Sequence, residues 1–289
     1  MNGIIIIDKP AGWTSHDVVG KLRGILRERR IGHGGTLDPM ATGTLPVFIG
    51  RATRAVEFCE SADKEYIAGL RTGIVTDTQD VTGTVLETHN MTITSDDLKE
   101  ILPNFLGEQA QIPPMYSAIK INGQKLYQLA RRGVEIRRPA RTITIKELEF
   151  LGETEDGFLF RIVCSKGTYI RTLCHDIGAH LGCGGTMSYL RRTRAGAFSL
   201  NAAVTLEQVS EAMQDGSIDR ILLPVDAIFE YPPLTIDKNQ ARKCRNGTAF
   251  PYPNTGNGLY RVYDEAGQFL MLGSMENGIM STVKSFFEV

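Results

Sequence analysis

The chain reads as an α+β protein, and three observations lead there. Apolar runs with strand character, such as Ile4-Ile5-Ile6-Ile7, are interspersed with segments of helical period. The two kinds do not alternate in the regular βαβ order of a parallel α/β fold. Past Pro232-Pro233 only short strand-like runs remain (residues 259–263, 269–272 and 282–289), separated by Gly and Asn turns. The sequence therefore divides into a main body over residues 1–230 and a small β module over residues 231–289.

Each element has its own signal. Ile4 to Ile7 is a buried strand. Thr14 or Ser15 caps a helix expected to run to about Arg30, with Val18, Val19, Leu22, Ile25 and Leu26 on its apolar side. Arg27-Glu28-Arg29-Arg30 would form its last turn, where cations suit the helix dipole. Gly32 to Val47 shows no core-forming period and reads as a loop; Val47-Phe48-Ile49 resumes a buried element. Residues 65–75 read as a strand and residues 76–80 as a polar turn. Thr94-Ser95-Asp96-Asp97 makes a capping box ahead of Leu98, Ile101, Leu102 and Phe105. Residues 111–118 are too Pro-rich for a helix, and a short amphipathic helix follows at about 124–132. Residues 142–151 and 158–164 pair as strands across an acidic turn. Helical spacing returns at 169–181 and again after Thr205.

Composition removes several function classes. A chain of 289 residues with 42% hydrophobic content has ample material for a folded core. No apolar run approaches the roughly 20 residues that span a bilayer, so no membrane role is expected. The first residues lack the pattern of a signal peptide, which points to the cytoplasm. The cysteines number five and none forms a C-x-x-C pair, so neither a disulfide framework nor a zinc site is expected. A net charge of −1 hides a strong asymmetry. Residues 120–146 hold eight basic residues against Glu135 alone, and residues 161–194 hold six against Asp176 alone. Two basic blocks on a neutral chain fit a face that binds a polyanion.

The most informative stretch is Gly32-His33-Gly34-Gly35-Thr36-Leu37-Asp38-Pro39-Met40-Ala41-Thr42-Gly43-Thr44-Leu45-Pro46-Val47. Its glycines permit positive φ and close approach of a ligand to the backbone around a single carboxylate, Asp38. Two readings compete: Asp38 caps a turn, or it is a positioned reactive acid. The stretch lacks the Gly-Lys-Ser/Thr ending of a P-loop, and G-x-G-x-x-G, H-E-x-x-H and G-x-S-x-G are absent from the chain. His33 and Asp38 alone make a poor metal site. A carboxylate can act as a covalent nucleophile at an electrophilic carbon, and a neighbouring Arg would favour its ionised form. Arg171 is the candidate, placed with Tyr169 on the first turn of a helix, where an Arg opposes the dipole.

Five blocks now give the sequence a resemblance. They are Asp8-Lys9-Pro10-Ala11-Gly12-Trp13-Thr14-Ser15-His16-Asp17, Gly32 to Pro39, Ala62-Asp63-Lys64-Glu65-Tyr66, Ser165 to Arg171, and Tyr189 to Gly196. In this order and spacing the chain, to about residue 230, resembles the bacterial tRNA pseudouridine synthase B (TruB) family. The resemblance implies a catalytic core on a mixed, largely antiparallel sheet and a C-terminal domain similar to the PUA fold, an RNA-binding module. It implies isomerisation of the T-loop uridine at tRNA position 55, with no cofactor and no metal. By the same resemblance Asp38 is the catalytic carboxylate, attacking either ribose C1′ or uracil C6. Tyr66 stacks on the flipped base and transfers a proton. Arg171 pairs with Asp38 and holds it ionised. Tyr169 and Leu190 line the uracil pocket, and His33 fills the space left by extruded bases. Lys9 and Pro10 brace the catalytic loop. Residues from about 112 to 146 match a mobile RNA-gripping insertion whose Arg131, Arg132, Arg137 and Arg138 contact phosphates. A nucleotide buried in a folded RNA loop must be extruded before its glycosidic carbon can be reached, which accords with such a pocket.

Other classes fit less well. A non-catalytic RNA-binding protein would not need Asp38, Tyr66 and Arg171 together. A glycosidase would need a second carboxylate across the site. Related small-RNA-guided enzymes carry extra partner surfaces and longer termini. The compact chain favours a stand-alone monomer that acts on the tRNA T-arm without an obligate protein partner.

Overall fold

A computed structural model describes residues 1–121 and 123–287. A nine-stranded sheet organises the main body. Across it lie Gly3–Lys9, Thr42–Ile49, Gly185–Ala195, Lys64–Thr72, Gly157–Cys164, Arg141–Thr154 and Gly107–Gln111. Ile31–His33 adds to Thr42–Ile49, and Phe198–Ser199 to Gly185–Ala195. Within this sheet the pairing of Gly185–Ala195 with Thr42–Ile49 is parallel, with Arg191 opposite Thr42 and Arg192 opposite Gly43. The remaining pairs are antiparallel, so the sheet is mixed and largely antiparallel.

The Ile4–Ile7 run is apolar throughout because both of its faces are covered. Ile5 and Ile7 pack with Leu45 and Val47 under the helices Ser15–Leu26 and Leu206–Gln214. Ile4 and Ile6 pack on the other face with Phe48, Cys59, Phe229, Leu272 and Phe286. Further along the sheet, Tyr66, Ala68 and Leu70 meet Leu190, Ile170, Leu173 and Ile177. Ile170 to Ile177 belong to the helix Ile170–His180, so the helix that carries Arg171 is anchored in the core.

A second, five-stranded sheet closes the chain: Pro233–Ile236, Gly258–Asp264, Phe269–Glu276, Ile279–Ser285 and Phe250–Pro251. It packs under the helix Lys238–Arg245, whose Asp237–Gln240 capping box starts it. Leu272 and Phe286 carry this sheet's apolar contacts into the main body. Lys284 also pairs with Glu57 at 2.5 Å.

Several elements depart from the sequence expectation. The first helix stops at Leu26, because Arg27 adopts the left-handed conformation (φ 52°) that ends it. The supposed loop over residues 32–47 is strand at both ends; only residues 34–41 lie between Ile31–His33 and Thr42–Ile49. Gly, Thr and Pro hid the second strand, yet Pro46 sits in it opposite Ile6. The eleven-residue strand Gly185–Ala195 was read only as a basic motif, since its arginines mask its alternation. The helix Lys238–Arg245 was missed in a module read as all β. The excursion between Gly107–Gln111 and Arg141–Thr154 is narrower than 112–146, because Arg141 pairs with Gln111 and residues 141–146 belong to the sheet. Among the described residues no helix is long and apolar enough to cross a membrane.

Candidate active site

Residues 34–41 form a loop held from every side. Gly34 N donates to Pro46 O (2.8 Å), and Arg192 Nη2 donates to Gly35 O (3.1 Å). Ser15 Oγ receives Leu37 N (2.9 Å) and lies 3.3 Å from Leu37 O. Gly12 N donates to Pro39 O at 2.8 Å. The buried Lys9 ammonium donates to Pro10 O (2.9 Å), Trp13 O (2.6 Å) and Pro39 O (3.2 Å). Strand alternation puts Lys9 on the face of Ile5 and Ile7, which explains a fully buried lysine. Lys9 thus braces the loop directly, while Pro10 contributes its carbonyl.

Asp38 sits at the centre of this clamp. Its Oδ2 accepts from Arg171 Nε at 2.8 Å. Among the described residues no backbone N–H donates to the carboxylate; the local turn is closed instead by Ala41 N on Asp38 O, 3.1 Å. The turn-cap reading therefore fails. Arg171 is itself almost closed in, with its side chain 5% exposed, whereas that of Asp38 is 36% exposed. The guanidinium also donates to Thr78 O (3.0 Å) and Tyr116 O (2.9 Å), and Nη1 lies 3.6 Å from Asp80 Oδ2. Sequence reasoning missed Asp80. Its 7% exposed carboxylate accepts from Thr78 Oγ1 (2.9 Å) and Thr82 N (3.0 Å), so it faces the guanidinium and not solvent. It is not the second open carboxylate of a glycosidase pair.

Arg171 does not simply depress the Asp38 pKa. Burial pushes the carboxyl above its usual range, Arg171 pulls against that, and the Asp80 charge adds to the rise. Arg171 thus offsets part of the penalty that burial imposes. Burial also drives the Tyr66 phenol up, with the Arg192 guanidinium opposing. Arg192, opposite Tyr66 in the sheet and 1% exposed, donates to Thr44 O at 2.7 Å. His33 is pushed down to about 4 by burial, then by His16 and Arg192. Its ring meets that of His16 edge-on at 5.4 Å, and its Nδ1 is buried with no partner.

Leu190 lies in one apolar cluster with Tyr66, Leu37 and Ile170. Tyr169 is not on the first helical turn but is the N-cap residue, fixed by Gln111, whose side chain bonds both its N (2.8 Å) and its O (3.0 Å). The structure thus gathers Asp38, Arg171, Tyr66 and Leu190, with Tyr169 at the start of the helix that carries Arg171 and His33 at the end of the strand that enters the loop. Arg131, Arg132 and Arg137 stand exposed on the separate excursion. Arg131 lies over Tyr127 (5.4 Å), and Arg138 touches Glu135 (3.3 Å) while its Nε and Nη1 are buried without partners.

One expectation is overturned, and another is met with an addition. The second basic block is largely neutralised from within: Arg161 pairs with Glu65 and Glu147 (2.8 and 2.6 Å), Arg191 with Asp8 (2.7 Å), and Arg192 is buried. Gly35 and Gly43 do take positive φ (101° and 99°), as expected, while Gly34 and Gly43 also serve packing. A Cβ on Gly34 would lie 2.5 Å from Cys59 Sγ, and one on Gly43 would lie 2.2 Å from Arg192 O. Among the described residues no three His, Cys, Asp or Glu side chains gather as a metal cradle.

Comparison with known proteins follows the same outline. Residues 23–170 match the TruB family pseudouridylate synthase N-terminal domain. Residues 171–230 match the tRNA pseudouridylate synthase B C-terminal domain, and residues 232–281 match pseudouridine synthase II TruB, C-terminal. A tRNA pseudouridine synthase B of Clostridium kluyveri is 41% identical over 292 residues, covering 99% of this chain and 100% of the relative. Another, of Alkaliphilus oremlandii, is 48% identical over 243 residues, covering 84% and 80%. Among solved structures, a chain of an H/ACA RNP bound to a substrate RNA containing 2'-deoxyuridine superposes with a TM-score of 0.76 at 27% identity, covering 99% of this chain and 85% of that one. A chain of a Cbf5-Nop10-Gar1 complex does so with a TM-score of 0.76 at 28% identity, with the same coverage. With full-length relatives above 40% identity and an Asp–Arg pair set in the matched region, the chain belongs to the TruB family of pseudouridylate synthases.

Proposed function

We propose that this protein converts the T-loop uridine at tRNA position 55 to pseudouridine, with Asp38 as the covalent catalyst. The observation that carries this reading is the 2.8 Å Arg171–Asp38 pair, in which the acid stays about one-third open and the guanidinium is closed in. Such a pair presents a carboxylate to a ligand while fixing its direction. The reaction breaks the N1–C1′ bond, turns the uracil, and joins C5 to C1′. C5 loses a proton and N1 gains one, so no atom enters or leaves overall.

Each neighbour has a task in that sequence. Tyr66 supplies a flat face for the extruded base and is the proton-transfer group, with Arg192 beside it lowering the cost of a phenolate. Leu190 and Tyr169 confine the base while it turns. His33, neutral at physiological pH because of its burial, occupies the space the nucleotide leaves. Stacking and apolar contact offset the few kcal/mol spent in extrusion. Arg131, Arg132, Arg137 and Arg138 bind backbone phosphates. Residues 1–230 form the catalytic domain, and residues 231–289 a PUA-like RNA-binding domain. The protein acts as a cytoplasmic monomer, without metal or cofactor.

The test is incubation with unmodified tRNA and with an isolated T-arm hairpin, mapping pseudouridine base by base. Product is expected at the T-loop uridine of both RNAs, at an unchanged rate in excess chelator. Asp38→Asn should bind tRNA and form none. Absence of T-loop product with the wild-type protein in either RNA would refute the substrate, and turnover by Asp38→Asn would refute the catalyst.

A further inference from the structure

The sequence 27–30, Arg-Glu-Arg-Arg, loses its expected purpose once the helix is seen to end at Leu26. Its charges no longer sit in a last helical turn. Arg27 instead occupies the left-handed position (φ 52°), where Gly or Asn is favoured and an Arg is strained. The turn that ends the helix needs a positive φ but not an Arg, so a charged side chain kept there points to a further use.

The charges around it are unevenly satisfied. Glu28 is taken up from within: its Oε1 accepts Arg30 N (2.9 Å), and its Oε2 lies 3.9 Å from the Met1 ammonium. Arg23 reaches Ile31 O at 3.3 Å, and Arg30 donates to Thr53 Oγ1 at 2.9 Å. Arg27 and Arg29 have no ion-pair or side-chain hydrogen-bond partner among the described residues. Both line a concavity of about 460 Å³ together with Arg23 and Glu28. Free guanidinium groups around a hollow suit phosphate oxygens.

The hollow is tied to the catalytic loop at two points. The strand Ile31–His33 leads directly from it to His33. The first helix leads back to His16, whose ring packs against His33. Eleven residues separate His16 from Arg27, about 16 Å at 1.5 Å per residue.

We propose that Arg23, Arg27 and Arg29 form a backbone-phosphate site for the substrate RNA, at the end of the first helix and about 16 Å along it from His16. The site is distinct from the arginine-bearing excursion over residues 112–140. It rests on the reading of the protein as a tRNA-modifying enzyme. It contributes affinity and register, not chemistry. Each contact should add about 0.9 to the slope of log affinity against log salt, or about 3.5-fold in affinity per fourfold rise in salt.

Two double variants test the site with unmodified tRNA transcript. Arg27→Glu with Arg29→Glu should raise KM about tenfold or more at low salt, leave kcat unchanged, and lower the salt slope by about 2. Arg27→Gly with Arg29→Gln should also weaken tRNA binding, yet melt no lower than wild type, since Gly relieves the positive φ. This second variant separates lost contacts from lost folding. Wild-type KM and salt slope in both variants would overturn the site. If the wild-type protein modified no tRNA, the parent reading would fail instead, and filter binding of the same transcript would still judge the arginines.

Discussion

Replacing Lys9 with Met should damage catalysis far more than folding. The ammonium is fully buried, and burial lowers its pKa to about 8 from the ordinary 10.5. Keeping it charged at pH 7 therefore costs about 3 kcal/mol, at roughly 1.36 kcal/mol per pKa unit. Met removes that penalty but strips donors from Pro10 O and Trp13 O, while Pro39 O keeps Gly12 N. Trp13 O, in a half-buried residue, then costs about 1–3 kcal/mol, while Pro10 is exposed and its carbonyl turns to water. The two effects nearly cancel, so stability should stay within about 1–2 kcal/mol of wild type, or a few degrees in Tm. Pro39, however, follows Asp38 directly. A shift of about 1 Å in a catalytic group can cost about a hundredfold in rate. Single-turnover pseudouridine formation with saturating enzyme should thus fall about 10- to 100-fold, with little change in tRNA affinity. The pH dependence adds a second check. Because the folded pKa lies below the unfolded one, the folded protein binds fewer protons between about 8 and 10.5. Lys9 makes stability rise with pH across that window, and Lys9→Met should abolish the rise. Wild-type single-turnover rates in Lys9→Met would refute the bracing role. A Tm loss above about 10 °C would refute the accounting.

Three further outcomes follow from the site. Asp38 has a raised folded pKa, so the folded state binds more protons above the ordinary 3.8 and stability falls as pH rises through that window. Asp38→Asn should accordingly melt higher than wild type at pH 7, with the gap closing as pH drops below the unfolded value; an equal gap at every pH in thermal melts would contradict this. Arg171→Ala leaves Asp38 and Asp80 facing each other in a buried site, costing about 3–5 kcal/mol in denaturant unfolding. It should also move the acid limb of kcat/KM to higher pH, and an unmoved limb would assign that limb to another group. Gly43→Ala, with φ +99° and a Cβ 2.2 Å from Arg192 O, should lose at least about 3 kcal/mol, whereas Gly12→Ala, at φ +81° in open space, should lose about 1. Similar losses at the two positions would remove the packing role assigned to Gly43.

The sequence was most legible where one local rule acted alone. The capping boxes at Thr14, Thr94 and Thr205 start their helices as expected, because a side chain that bonds the third residue on is a local device. The Ile4–Ile7 strand was legible because burial on both faces leaves no polar position to confuse it. Gly185–Ala195 was not legible, since its register depends on Lys64–Thr72 and Thr42–Ile49, far away in sequence. Its arginines looked like an RNA-facing patch, and only the partner strands show Arg192 turned inward and Arg191 committed to Asp8. Asp38 and Arg171 could be named from their motifs. Asp80 could not, because a polar turn of Thr and Asp gives no sign that its carboxylate will face a guanidinium from another element.

The glycines around Asp38 sharpen this distinction. On the page of sequence they suggest a pliable loop into which a nucleotide could press. In the fold, Gly34 lets Phe48 and Cys59 close against the strand, and Gly43 lets the backbone of Arg192 pass. Smallness here produces rigidity, not freedom. Lys9, Ser15 and Arg192 then fix the loop's carbonyls from three separate elements. A carboxylate that must meet one carbon of a turning nucleotide gains from such fixation, because any wandering would be repaid in rate. The conformational freedom the reaction requires is therefore left to the nucleotide that is extruded and rotated, and the protein keeps its acid still.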